Sequence, residues 1–174
     1  MELDDLGALA LTYGPVGLTR DVELPAGFHH VQVQRRIGHG REAFERARTS
    51  LLHFGAQRGT GLRPQATAAT AAPGVDVLCH LGIGRFSLPV PCRVVWAVDG
   101  TDRAGFGYGT LEGHMESGEE GFLVELRGEE VHAVVRAYSV PVSRLMRLGG
   151  PVARVGQRCV AVLYTMALGR AARG

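Results

Sequence analysis

The sequence predicts an α+β fold in which a curved antiparallel sheet of about six to seven strands wraps around a long C-terminal helix, with one further helix after the first strand. Three observations predict it. An early segment has helical spacing, with Phe44, Ala47, Leu51 and Phe54 separated by charges. A run of short strand-like segments follows, broken by turn chemistry. From Val142 the period changes, and Leu145, Leu148, Val152, Val155, Cys159, Val162 and Met166 recur at threes and fours.

In chain order, residues 1–27 hold Tyr13-Gly-Pro-Val-Gly17 and Leu24-Pro-Ala-Gly27, which suit an irregular arm laid over the domain. Phe28 to Ile37 reads as the first strand, and the helix follows Gly38-His-Gly40. Gly55 to Pro64 ends that helix in a loop, and the Ala/Thr-rich residues 65–72 read as a weak edge strand. Val75 to Phe86 and Val90 to Val98 continue the sheet, with Pro89 and Pro91 marking a strand start or an edge. Gly149-Gly150-Pro151 interrupts the terminal stripe. Proline suits the first turn of a helix, so a short helix, a break and a long helix from about Pro151 to about Leu168 are expected. This order matches the helix-grip architecture. With no linker or repeat, residues 1–174 read as one domain, an arm over 1–27 and a helix-grip-like body over 28–174.

Gly105, Gly107 and Gly109 alternate with Phe106, Tyr108 and Thr110, so one face of that strand is nearly bare. If Gly113 and Gly118 bracket the next loop, Gly109, Gly107 and Gly105 pair with Phe122, Val124 and Leu126. Folding back through Asp99-Gly100-Thr101-Asp102 places Cys92, Val94 and Trp96 on the other side of the same column. A turn at Arg127-Gly128-Glu129-Glu130 then puts Val131, Ala133, Val135 and Ala137 on the face of Phe122, Val124 and Leu126, with Glu125 across from His132 on the wetter face. Glu120 is the one acid on the apolar side.

The chain is 45% hydrophobic and 21% charged, an ordinary globular composition. All its basic residues other than histidine are arginine, with no lysine and no asparagine, which reads as codon bias. A net charge of +2 with scattered arginines argues against a nucleic-acid partner. Arg144, Arg147, Arg154 and Arg158 lie off the helical stripe and read as a solvated face, the alternative being an anion or membrane-surface contact. Cys79, Cys92 and Cys159 sit far apart in apolar runs and read as buried small hydrophobes rather than disulfides or a metal site. The acidic Met1-Glu2-Leu3-Asp4-Asp5 is unlike a signal peptide, and no stretch approaches the roughly 18 apolar residues of a transmembrane segment. A cytoplasmic location is expected.

Several segments resemble the uncharacterised protein family 0548, a domain of unknown function found in bacteria and plants. They are Tyr13-Gly-Pro-Val-Gly-Leu-Thr-Arg20, Ile37-Gly-His-Gly40, Pro91-Cys-Arg-Val-Val-Trp96, Tyr108-Gly-Thr-Leu-Glu-Gly-His114, Gly118-Glu-Glu120 and Gly149-Gly-Pro151. The resemblance covers nearly the whole chain. It implies a fold similar to the helix-grip domains of the Bet v 1 and START type, and it implies no reaction.

His114, Glu116, Glu119 and Glu120 fall within seven residues around one hairpin. A histidine beside a carboxylate, or a carboxylate in an apolar setting, acquires a pKa suited to acid–base work. The structural alternative is that His114 caps the loop and Glu119 pairs with Arg136. Glu120 needs a buried partner, which Tyr108, Thr110, Arg93 or an arginine of the first helix could supply. The spacing His-x-Glu-x-x-Glu-Glu matches no standard zinc pattern, and no phosphate loop, dinucleotide fingerprint or serine elbow occurs, so neither metal nor cofactor is expected.

Three functions compete. The first is binding of a small hydrophobic or amphipathic ligand between the sheet and the terminal helix, by Arg93, Trp96, Tyr108, Thr110, Glu120, Phe122 and Val124. The second is an acid–base enzyme, a hydrolase or cyclase, with His114 and Glu120 catalytic. The third is a non-catalytic protein-interaction domain using its arm or its arginine face. Oligomeric state is open.

Overall fold

Seven strands form one antiparallel sheet: β1 (His29–His39), β2 (Gln65–Ala66), β3 (Asp76–Leu81), β4 (Leu88–Asp99), β5 (Arg103–Thr110), β6 (Glu116–Arg127) and β7 (Glu130–Pro141). Their spatial order is β1-β7-β6-β5-β4-β3-β2, so β3 to β7 are successive hairpin neighbours and β1 closes the far edge against β7. The α1 helix (Gly40–Leu52) and the short α2 (Gly55–Arg58) follow β1, and α3 (Arg144–Arg173) ends the chain. The computed structural model describes residues 1–21, 23–82, 87–142 and 144–174; the side chains at 144–149 and 151–153 are outside the description. Leu145, Leu148 and Val152 of the expected stripe, Arg144 and Arg147, and the end of the strand expected to reach Phe86 therefore lie outside the described residues.

Helix α1 forms where the apolar spacing predicts it. Phe44, Ala47 and Leu51 are fully buried on one side. Phe54, also fully buried, takes a left-handed φ of 59° and turns the chain into α2. The edge strand expected over 65–72 shrinks to Gln65–Ala66. Helix α3 is broken at Gly150, whose φ of 40° and ψ of −121° are not helical, where Gly149-Gly150-Pro151 predicts a break. It packs on the inner face of the sheet against β1 and β7 and beside α1 and α2.

The β6–β7 register agrees with the sequence reading. Phe122, Val124 and Leu126 face Val135, Ala133 and Val131, Glu120 faces Ala137, and Glu125 faces His132. The β5–β6 register does not agree. Gly109 pairs with Glu119, Gly107 with Gly121 and Gly105 with Leu123, whereas Phe106 pairs with Phe122 and Tyr108 with Glu120. The shift is by an odd number of residues, so it exchanges faces. The bare column looks outward, away from α3, and the aromatic residues between the glycines look inward. On the other flank a bulge between Val94 and Trp96 pairs Val94 with Tyr108 and Trp96 with Gly107. The extra residue sends Val94 into the core and Trp96 to the outer face.

Residues 1–21 cover that outer face. A 3-10 turn at Leu3–Ala8 buries Leu6 with Leu78 and Leu111, and a second at Leu18–Arg20 lies on β6 and β5. The arm fills the space the glycines leave. A Cβ at Gly107 would overlap the Trp96 indole, one at Gly109 the Tyr13 ring, and one at Gly121 both Thr19 and Trp96.

Between sheet and helices lies the main core, which includes Phe44, Phe54, Phe106, Phe122, Tyr164 and Leu168. The face of α3 that enters it is not the expected one. Ala161, Tyr164, Ala167, Leu168 and Ala172 are buried, whereas Val155, Leu163 and Met166 are 63%, 46% and 39% exposed and Cys159 is exposed too. Cys79 and Cys92 are buried as expected, and all three thiols are free.

Candidate functional site

A cavity of about 330 Å³ opens between the inner face of the sheet and the Gly156–Tyr164 stretch of α3. Small side chains make the room. Ala137 sits beneath it on β7, and Gly156, where an added Cβ would meet nothing within 4 Å, above it on α3. Its apolar walls include Val31, Val90, Cys92 and Val160, and its polar groups are Tyr108, Thr110, His114, Glu116, Glu120, Ser139, Gln157 and Tyr164. A further void of about 40 Å³ adjoins it, sharing Leu81, Val90, Cys92, Tyr108 and Tyr164, and adds Cys79.

Glu120 is the central group. The β5–β6 register sets it opposite Tyr108, whose hydroxyl donates to Oε2 at 3.1 Å. Burial pushes its carboxyl up to about 7; the Tyr108 bond opposes that rise, and the Glu116 charge adds to it. Burial holds the Tyr108 and Tyr164 phenols well above their ordinary value, so both are neutral near pH 7. Phe122 packs against the Tyr164 ring at 5.2 Å and 80° and against Tyr108 at 5.3 Å, fixing both rings from the core side.

At the other end, His114 Nδ1 lies 2.9 Å from both the amide nitrogen and the carbonyl oxygen of Glu116. Burial lowers His114 to about 4, so the ring is neutral near pH 7. Gln157 reaches down from α3, and its amide donates to Glu116 Oε1 at 2.5 Å and to Ser139 Oγ at 3.3 Å. Thr110 has its hydroxyl engaged by β6: it receives the Gly118 amide at 3.0 Å. The thiols are poor nucleophiles, since burial pushes Cys79 up to about 11 and Cys92 well above its ordinary value. Among the described residues no group of three or more His, Cys, Asp or Glu could hold a metal ion.

Of the residues proposed from sequence, Tyr108, Thr110, His114 and Glu120 meet at this cavity. Phe122 and Val124 share its face but are fully buried in the core. Arg93 and Trp96 are not brought to it. Arg93 lies across from Gly109 on the outer face, where it pairs with Asp76 at 2.6 Å and donates to the Leu6 and Leu9 carbonyls. It anchors the arm. Trp96 lies on that face as well, its indole N–H 3.0 Å from the Thr19 hydroxyl. Sequence reasoning missed Tyr164, Gln157 and Ser139. The signal for the first two was the spacing Gln157, Val160, Ala161, Tyr164, Leu168, a helical face less apolar than its neighbour.

Glu119 does not pair with Arg136. It is 3% exposed and accepts from the arm and the outer face. Oε2 takes the Tyr13 hydroxyl at 2.8 Å, the Gly17 amide at 2.6 Å and the Tyr138 hydroxyl at 3.3 Å. Oε1 takes the Thr19 amide at 2.9 Å, the Thr19 hydroxyl and the Trp96 indole at 3.3 Å. The Tyr13–Arg20, Pro91–Trp96, Tyr108–His114 and Gly118–Glu120 segments, distant in sequence, thus surround β6 from its two faces.

A family of proteins described as a domain of unknown function (DUF1990) matches residues 12–167. A UPF0548 protein of Deinococcus radiodurans is 34% identical over 94% of this chain and 88% of its own length. A UPF0548 protein of Arabidopsis thaliana is 30% identical over 70% of this chain and 62% of its own. Among solved structures, a hypothetical protein of Helicobacter pylori superposes with a TM-score of 0.63 at 12% identity, covering 94% of this chain and 100% of that one. Ara h 8.0201 gives 0.59 at 8% identity over 84% and 99%, and a major latex-like protein of Panax ginseng 0.54 at 15% over 82% and 96%. These likenesses show a Bet v 1-like, helix-grip fold. No helix among the described residues is long and apolar enough to cross a membrane. With its matched span of residues 12–167 and its relatives at 30% and 34% identity, the chain belongs to the DUF1990 family, the UPF0548 proteins.

Proposed function

We propose that the protein binds a small amphipathic molecule in the cavity between the sheet and α3. The observation that carries this reading is a mostly apolar space of about 330 Å³ into which a few polar groups converge, Glu120 and Tyr108 foremost. Ligand sites generally have this composition, and the volume is at the lower end of their range of about 300–1,000 Å³. Phe122 behind and Gln157 at the rim hold the walls in place, so little ordering is needed on binding. The three free cysteines support a cytoplasmic setting.

Native mass spectrometry of protein purified from its own host tests the reading by seeking a co-purifying small molecule. Titration with the neutral dye Nile red gives a second readout. Val160→Trp, which fills the cavity from α3, is expected to abolish both signals while leaving the unfolding midpoint within about 1–3 kcal/mol of the wild type. Dye binding unchanged in that variant would refute the reading.

A second reading, acid–base catalysis, is favoured by one observation. His114 and Glu120 line the same cavity with pKa values displaced in opposite directions, to about 4 and about 7. It requires that Glu120→Gln abolish turnover of a bound substrate without abolishing its binding.

A further inference from the structure

Glu119 and Glu120 are consecutive residues on β6, the first buried under the arm and the second half-buried at the cavity wall, and the protein treats them differently. Glu119 is furnished with six donors from the arm and the outer face. Glu120 receives one hydrogen bond among the described residues, from Tyr108, and its other carboxylate oxygen has no donor among them. Among the described residues no cation is supplied to it either. Arg93, Arg103, Arg127 and Arg136, the arginines of β4 to β7, pair with Gly109, Glu125, Glu130 and Gly121, which places all four on the outer face. The described residues lining the cavity include no arginine, and the sequence holds no lysine. The one histidine there is neutral near pH 7. The inner face carries the acids Glu116 and Glu120 together with the phenol rings of Tyr108 and Tyr164.

A carboxylate partly withdrawn from water with no cationic partner among the described residues is costly, and the cost is relieved when a cation arrives with good hydrogen-bond geometry. Aromatic walls add to the attraction, because the negative face of a phenol ring favours ammonium. An anionic head group would meet Glu116 and Glu120 with no compensating charge among the described residues. We propose that the cavity selects a cationic amphiphile, an amine on a compact apolar body, with its ammonium seated between Glu120 and the phenols of Tyr108 and Tyr164. This inference rests on the cavity being a ligand site.

Among the described residues, the groups facing Glu120 are Tyr108 from β5, Cys92 from β4, Cys79 from β3, Tyr164 from α3 and Glu116 on its own strand. None is a cation, and burial keeps the two phenols and two thiols neutral near pH 7. Seating an ammonium there drives the proton off Glu120, so binding near pH 7 releases a fraction of a proton to the buffer.

The test is calorimetric titration of the full chain with octan-1-amine, octan-1-ol and octanoate, three head groups on one chain. The amine is expected to bind about tenfold or more tightly than the alcohol, the equivalent of one charge-assisted hydrogen bond. Octanoate is expected to bind more weakly than the alcohol. Glu120→Gln should bring the amine down to the affinity of the alcohol and leave the alcohol within a few-fold. In the wild type, comparison of buffers with different ionisation heats should show proton release with the amine and none with the alcohol; this holds whether or not the variant folds. Alcohol binding equal to or tighter than amine binding overturns the inference while the binding reading stands. Equal loss of amine and alcohol in a folded Glu120→Gln also overturns it, as does amine binding without proton release. Failure of all three molecules to bind overturns both.

Discussion

Replacing Glu119 by glutamine changes one oxygen to NH₂ and almost no volume, so it isolates what the carboxylate does for the arm. The carboxylate accepts three hydrogen bonds at each oxygen. An amide keeps one acceptor. If its oxygen stays with the Thr19 and Trp96 donors, the NH₂ faces the Gly17 amide, a donor that cannot rotate, while the Tyr13 and Tyr138 hydroxyls can turn to accept. One half-buried backbone N–H is then orphaned, at the lower end of about 1–3 kcal/mol, and the remaining bonds lose the strengthening that a full negative charge gives. Together these amount to about 3 kcal/mol, a fall of roughly 6–12 °C in Tm for a chain of this size. The single tryptophan, Trp96, donates to Glu119 Oε1 and reports the change directly. Urea unfolding followed by its fluorescence gives the stability, and tryptic cleavage after the exposed Arg20 gives the opening of the arm. Both should move together. A midpoint shift worth less than about 0.5 kcal/mol with unchanged cleavage would refute the role of Glu119 in holding the arm. So would stabilisation, which would mean that desolvating the carboxylate outweighs its six bonds.

Gly107→Ala should cost about 1–3 kcal/mol, since its Cβ would overlap the Trp96 indole and displace it toward water; a red-shifted emission maximum accompanies the loss, and an unshifted one contradicts the packing. Because the folded-state pKa of Glu120 is raised to about 7 from 4.5, its carboxyl favours the folded state below pH 4.5, and that advantage is lost as pH rises to 7. The loss is on the order of 3 kcal/mol, so Glu120→Gln should gain on the wild type by that amount between pH 4.5 and 8, as read by urea midpoints. His114, depressed to about 4 from 6.5, has the opposite sign: its contribution is intact above 6.5 and is lost as pH falls to 4, and His114→Asn should remove that slope from the same measurement. Tyr108→Phe deletes the hydrogen bond that opposes the rise at Glu120, so the Glu120 carboxyl, followed by its infrared band, should titrate above 7; a titration at or below 7 would refute the assignment.

The sequence by itself determined the order of the main elements, the break at Gly150, the β6–β7 register and the inward face of Glu120. These were legible because many side chains vote the same way. On β6 and β7, Phe122, Val124 and Leu126 face Val135, Ala133 and Val131, and a slip by one residue would bury Glu125 and His132 in their place. Only the tertiary structure decided which way the glycine column looks. Glycines carry no polarity, so Gly105, Gly107 and Gly109 cast no vote, and the β4 bulge that reverses Trp96 leaves no mark in the pattern. Their face is set by what covers them, and the cover is an arm some ninety residues earlier in the chain. The same holds for α3. Hydrophobicity favours the face of Val155, Cys159, Val162 and Met166, but which face meets the sheet is set by the packing of β1, β7, α1 and α2 around the helix. Ala161, Tyr164, Ala167 and Leu168 are buried against the sheet and the first two helices, with Gln157 and Tyr164 lining the cavity.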